Sequence, residues 1–99
     1  MGDRNKAVKD VAKAFESAVL SAGLSASVRT SMGERVDASG MGRDILTGTV
    51  STYLINHAKT ALCSKGYAAS VTCERSGNQL NYFFDVNRRR VVVGVQFSF

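Results

Sequence analysis

The sequence predicts an α+β fold of the two-layer sandwich type, with elements in the order α-β-α-β-β-β. Three observations point there. Apolar alternation of period two runs through three consecutive segments of the last third, and two upstream segments carry apolar residues at helical spacing. Each strand is apolar on one side only. A four-stranded, mostly antiparallel sheet with one greasy face needs a cover, and two amphipathic helices supply it on that face.

The first helix is expected from the stripe Val8, Val11, Ala12, Phe15, Val19 and Ala22. Gly23 follows it, and alternation of Leu24, Ala26 and Val28, extending toward Thr30 and Met32, with Ser25, Ser27, Arg29 and Ser31 then reads as a first strand. Gly33 to Arg43 is glycine-rich and reads as a flexible connector. It lacks the Gly-Lys-Ser/Thr ending of a nucleotide-binding loop, so it assigns no phosphate site. The second helix is expected from Leu46, Val50, Tyr53, Leu54, Ala58, Ala61 and Leu62, capped by Asp44 or Thr47 and ended before Gly66. The segments Ala18–Val28 and Ala61–Val71 match in their alanine, glycine and Ala-Ser-Val positions, as two helices that stop and turn into strands would.

Tyr67–Cys73, Leu80–Val86 and Val91–Phe99 are rich in β-branched and aromatic residues and form the expected C-terminal meander. With turns at Ser76-Gly77 and at Asn87 to Arg90, the cross-strand rows are Val71/Tyr82/Val95, Cys73/Leu80/Phe97, Ala69/Phe84/Val93 and Tyr67/Val86/Val91. All four rows are apolar, and a one-residue slip would reverse every one of them. The opposite face then carries Ser70/Phe83/Gly94 and Thr72/Asn81/Gln96, where Phe83 covers a strand glycine. A last strand ending Phe97-Ser-Phe99 has no polar blunting, so it is expected either inside the sheet or paired across a homodimer.

The chain of 99 residues is expected to form one domain. It has no apolar run long enough to cross a membrane, and its basic start leads into an amphipathic stripe instead of a secretory apolar core, so a cytoplasmic setting is expected. Cys63 and Cys73 are placed beyond disulfide reach and are expected as free thiols, Cys73 as a small core hydrophobe. One histidine and two separated cysteines do not make a zinc site, and neither a metal nor any other cofactor is expected. His57 lies at the margin of the second helix's stripe with no nucleophile and carboxylate assigned to it, and the acids, Asp37 in a loop and Asp85 on the polar sheet face among them, are scattered. The reading is non-enzymatic.

Charge carries what remains. Thirteen Lys and Arg against eight Asp and Glu give a formal net charge of +5. The excess clusters at Arg88, Arg89 and Arg90, placed at a hairpin tip, and at Lys6, Lys9 and Lys13 along the first helix. Three adjacent guanidiniums repel one another and serve a tight turn less well than Asn-Gly, whereas they suit phosphate or carboxylate capture. The expected function is therefore a small basic module that binds nucleic acid or another polyanion through the arginine tip and the lysine face. The alternative is an adaptor or inhibitor that docks on an acidic protein surface. A helix and three strands are similar to part of the double-stranded RNA-binding domain, but its basic closing helix has no counterpart after Phe99, which favours that alternative.

Overall fold

The computed structural model describes residues 3–30, 35–41, 48–77 and 79–97. The expected contributions of Met32, Asp44, Leu46, Thr47 and Phe99 lie outside them. Asp3–Ser21 forms helix α1 and Gly48–Ser64 forms α2. Their buried faces follow the stripes in Val8, Val11, Phe15 and Val19 on α1 and Leu54, Ala58 and Leu62 on α2; Ala7, Ala14 and Ala18 widen the first, and Ala12, Ala22, Val50 and Ala61 are only partly buried. Tyr53 departs from its stripe. It is 42% exposed on the outer surface, where its hydroxyl meets Ser21 Oγ.

Both helices end in the same reversal. Leu24 N–H donates to Val19 O and Tyr67 N–H to Leu62 O, each at 3.1 Å, with Gly23 at φ 76° and Gly66 at φ 96°. Glycine takes this left-handed backbone without a Cβ penalty, so each helix stops there and its last carbonyls are satisfied. The shared stop accounts for the matching segments Ala18–Val28 and Ala61–Val71.

The sheet has five strands where four were expected: β1 Ser27–Thr30, β2 Arg35–Met41, β3 Ala69–Ser76, β4 Gln79–Val86 and β5 Arg89–Phe97. Their spatial order is β1-β2-β5-β4-β3, antiparallel except for the parallel pair β2 and β5. The added strand, β2, comes from the segment expected as a glycine-rich connector over 33–43, and Asp37 belongs to this strand instead of a loop. Val36 and Ala38 are buried and alternate with Arg35, Asp37 and Ser39. The register then slips between Ala38 and Met41, around Gly40 at φ 85°, which returns Met41 to the buried side. A bulge of this kind breaks the period-two signal and hides a strand among small residues.

The meander keeps its expected face but not its register. Tyr82 pairs with Cys73 and Val93, Phe84 with Val71 and Val91, and Val86 with Ala69 and Arg89. Each offset of two residues comes from its turn: the first lies one residue later than assumed, and the second is shorter. Ser76 pairs with Gln79 and Val86 with Arg89, so the second corner has only Asn87 and Arg88 at its centre. Phe83 accordingly lies opposite Thr72 and Val92. Gly94 pairs with Asn81 and Asp37, and the side chains of Arg35 and Gln79 cover it.

β5 is hydrogen-bonded on both sides, to β2 and β4. Of the two expectations for this strand the internal one holds, and the edges of the sheet are β1 and β3. The two helices cover one face, where Phe15 and Tyr82 rings meet at 5.4 Å between centroids and Val36, Leu54, Leu62, Phe84 and Val93 are sealed from water. Tyr82 OH reaches Ser51 Oγ at 3.0 Å, which keeps a buried hydroxyl satisfied. Burial pushes this phenol up to about 12. Cys63 and Cys73 are free thiols. Cys73 faces the helix layer but is only partly buried, and burial raises its thiol. Among the described residues, no helix is long and apolar enough to cross a membrane.

Candidate anion-binding site

The helices run antiparallel across the sheet, as the contacts Ser17 to His57 and Asp10 to Lys65 show. The start of α1 therefore meets the end of α2, and the β4–β5 hairpin tip joins them at the same end of the molecule. The tip is held there by two hydrogen bonds. Asn87 N–H donates to Ala68 O at 3.0 Å, and Ala68 N–H donates to Asn87 Oδ1 at 2.8 Å. The tip thus cannot swing away from the turn that follows α2.

Asn87 and Arg88 form the centre of the turn at φ 48° and 71°. Positive φ at both central residues matches the right-handed twist of a hairpin, and the second place usually belongs to glycine. An arginine there bears steric strain on the order of 1–2 kcal/mol. Local structure does not ask for Arg88.

Beside this tip opens a cleft of about 630 Å³. Lys6 from α1, Lys65 from the turn after α2 and Arg89 from β5 line it, with Ala7 and Val86 among its apolar walls. Asp10 is the acid in it, 8% exposed and already engaged: Tyr67 OH donates to its Oδ2 at 2.7 Å, and Lys65 Nζ lies 3.6 Å from its Oδ1. Lys6 and Arg89 have no acidic partner among the described residues. Three cations against one carboxylate leave the cleft with two net positive charges.

The lysine face continues from this cleft. Lys6, Lys9 and Lys13 are all exposed along α1, spanning about 10 Å at 1.5 Å per residue. Lys9 and Lys13 line a second, shallower groove against β1, where Arg29 joins them and Glu16 is the acid. Lys6 thus belongs with Arg89, whereas Lys9 and Lys13 belong with Arg29.

The arginine trio does not act as one point. Strand alternation sends Arg89 to the helix side and Arg90 to the open sheet face. There Arg90 donates from Nε to Asp85 Oδ1 at 2.9 Å and from Nη2 to Oδ2 at 3.1 Å, while its guanidinium sits 5.1 Å from the Phe83 ring centroid. Hydrogen bonds from Arg90 hold the Asp85 carboxyl below the usual carboxylate range. This guanidinium is occupied locally.

Lys65, Arg29 and Asn87 were not singled out in the sequence. Lys65 had one cue, its place just before the helix-stopping Gly66, which seats it at the molecule's basic end. His57 contacts Ser17 Oγ at 3.4 Å and stacks obliquely on Tyr53 at 5.8 Å. Among the described residues, no carboxylate is paired with it. Among the described residues, no cluster of His, Cys, Asp and Glu is arranged to hold a metal ion. No protein-family model, curated protein or solved structure matches this chain.

Proposed function

We propose that this protein is a non-enzymatic binding module for nucleic acid or a similar phosphate polyanion, acting in the cytoplasm. The observation that carries the reading is the convergence of Lys6, Lys65 and Arg89 on one cleft beside a strained Arg88. Lys9, Lys13 and Arg29 extend the same charge along the molecule. Spaced cations of this kind bind phosphates by releasing counterions, which fixes position without reading sequence. The two free cysteines support a reducing compartment.

The test is the salt dependence of binding to short DNA and RNA duplexes and single strands, followed by fluorescence anisotropy. Replacing Lys6, Lys65 and Arg89 together by glutamine should weaken binding and flatten the log-log salt slope by about two to three units. Arg90→Gln should leave that slope unchanged. An unaltered slope in the triple variant overturns the reading.

A second reading, an adaptor docking on an acidic protein, draws support from β3. This edge strand presents eight residues with no proline, lysine or bulge to blunt it. In that case nuclease treatment leaves the complex intact, and proline at outward-facing β3 positions abolishes it.

A further inference from the structure

The cleft and the α1 ridge differ in shape, and the difference bears on what each accepts. Lys9, Lys13 and Arg29 stand in an open groove that a backbone can follow from end to end. The Lys6, Lys65 and Arg89 cleft is more enclosed, and its volume of about 630 Å³ falls in the range of small-ligand pockets. We infer that this cleft is a phosphomonoester site, which receives a terminal phosphate as carried by a nucleic-acid strand end or a free mononucleotide. The inference rests on the polyanion reading of the same end of the molecule.

Charge matching supports it. The cleft holds two net positive charges, whereas an internal phosphodiester brings one negative charge and a terminal phosphate about −1.5 to −2 at neutral pH. The donors also come from three separate elements: α1, the turn after α2, and β5. They surround a phosphate's several oxygens from different directions, while a passing backbone exposes only two.

The walls are fixed before any ligand arrives. Asn87 ties the hairpin to Ala68 through both its backbone and its side chain. Asp10 holds Lys65 and Tyr67 and so anchors the far wall. Prior ordering of this kind reduces the entropy lost on binding. The Tyr67 side chain and the apolar atoms of Ala7 and Val86 offer a surface for a sugar or base attached to the phosphate.

The experiment compares otherwise identical short oligonucleotides with a 5′-phosphate, a 3′-phosphate or hydroxyls at both ends, together with a nucleoside monophosphate. Binding is measured by titration, and amide shifts of Lys6, Gly66, Asn87 and Arg89 are followed against those of Arg29 and Thr30. A phosphate at one end should tighten binding about tenfold, the increment of one charge-assisted contact set. Lys6→Gln and Arg89→Gln should each remove that preference, while unchanged amide shifts away from the cleft, at Arg29 and Thr30, show that the loss does not reflect the fold.

Equal binding of phosphorylated and hydroxyl strands with the salt slope retained overturns the cleft proposal and leaves the polyanion reading standing. A mononucleotide that shifts only the cleft amides, without binding of hydroxyl strands, supports the cleft and overturns the polyanion reading. No binding of any of these probes overturns both.

Discussion

At the scale of single residues, Arg88 and Arg90 illustrate how neighbours in sequence acquire opposite roles. Arg88 occupies a left-handed turn position that glycine fills with less strain. Arg88→Gly should therefore raise stability by about 1 kcal/mol, or about 4–8 °C in melting temperature, while flattening the salt slope of polyanion binding by about one unit. Thermal unfolding and anisotropy on the same variant check both halves. Arg90 instead serves Asp85, whose carboxyl it holds below the ordinary range through hydrogen bonds. A depressed carboxyl contributes stability that is complete above its unfolded value, about pH 4, and is lost as the pH falls through the folded value. Asp85→Asn should consequently show a shallower loss of melting temperature than the wild type below about pH 4, with the two curves parallel near neutrality. The arginine cluster was visible in the sequence; its division was not, because strand alternation acts only once the turn's length is known.

At the scale of elements, the helices and the buried face of the meander were legible because each rests on a long periodic pattern. Phe15, Val19, Leu54 and Leu62 are buried where their spacing places them, and Tyr82, Phe84 and Val93 lie on the expected side. Register and β2 were not legible, for two physical reasons. A shift of two residues keeps every apolar residue on the same face, so the face pattern alone is blind to it and turn geometry decides. β2 carries small side chains and a bulge at Gly40, which resemble the chemistry of a connector. Gly94 gives a test of the corrected register. A Cβ there would lie 2.5 Å from Arg35 Nη2 and 2.6 Å from Gln79 Nε2, the ends of flexible side chains that can move aside. Gly94→Ala should then change unfolding free energy in denaturant by less than about 1 kcal/mol, because the gain in strand propensity offsets the displacement. Had Phe83 covered this glycine, as the earlier register placed it, a ring would have been forced off the sheet.

At the scale of the whole molecule, Lys6, Lys65 and Arg89 gather at one end of the helix side, while Arg35 and Arg90 on the open sheet face pair with Asp37 and Asp85. The helix layer brings the start of α1 to the end of α2, and this antiparallel packing gathers Lys6 and Lys65 from distant parts of the sequence. That is why sequence spacing showed two basic groups and missed the composite one. The sheet sets a gradient of protection as well. Amides of β5, bonded on both sides at its centre, should exchange slowest with deuterated water, and the outward-pointing amides of β3 fastest among the long strands. Residue-resolved exchange checks this ranking, and slow outward amides in β3 would mean that its edge is covered in solution.

The place of β5 also governs how the chain reaches this state. β1 and β2 are one antiparallel pair and β3 and β4 another, both made from neighbouring stretches of chain. β5 joins β4 across the tight turn at Asn87 and Arg88, so β3, β4 and β5 form a local meander whose far margin meets β2 only when Val36 pairs with Val93. Closing that long loop is entropically slow, so the β1–β2 pair and the meander wait with sticky inner margins until they dock. Crowded conditions in that interval invite the wrong ribbon, from a neighbouring molecule, into the gap.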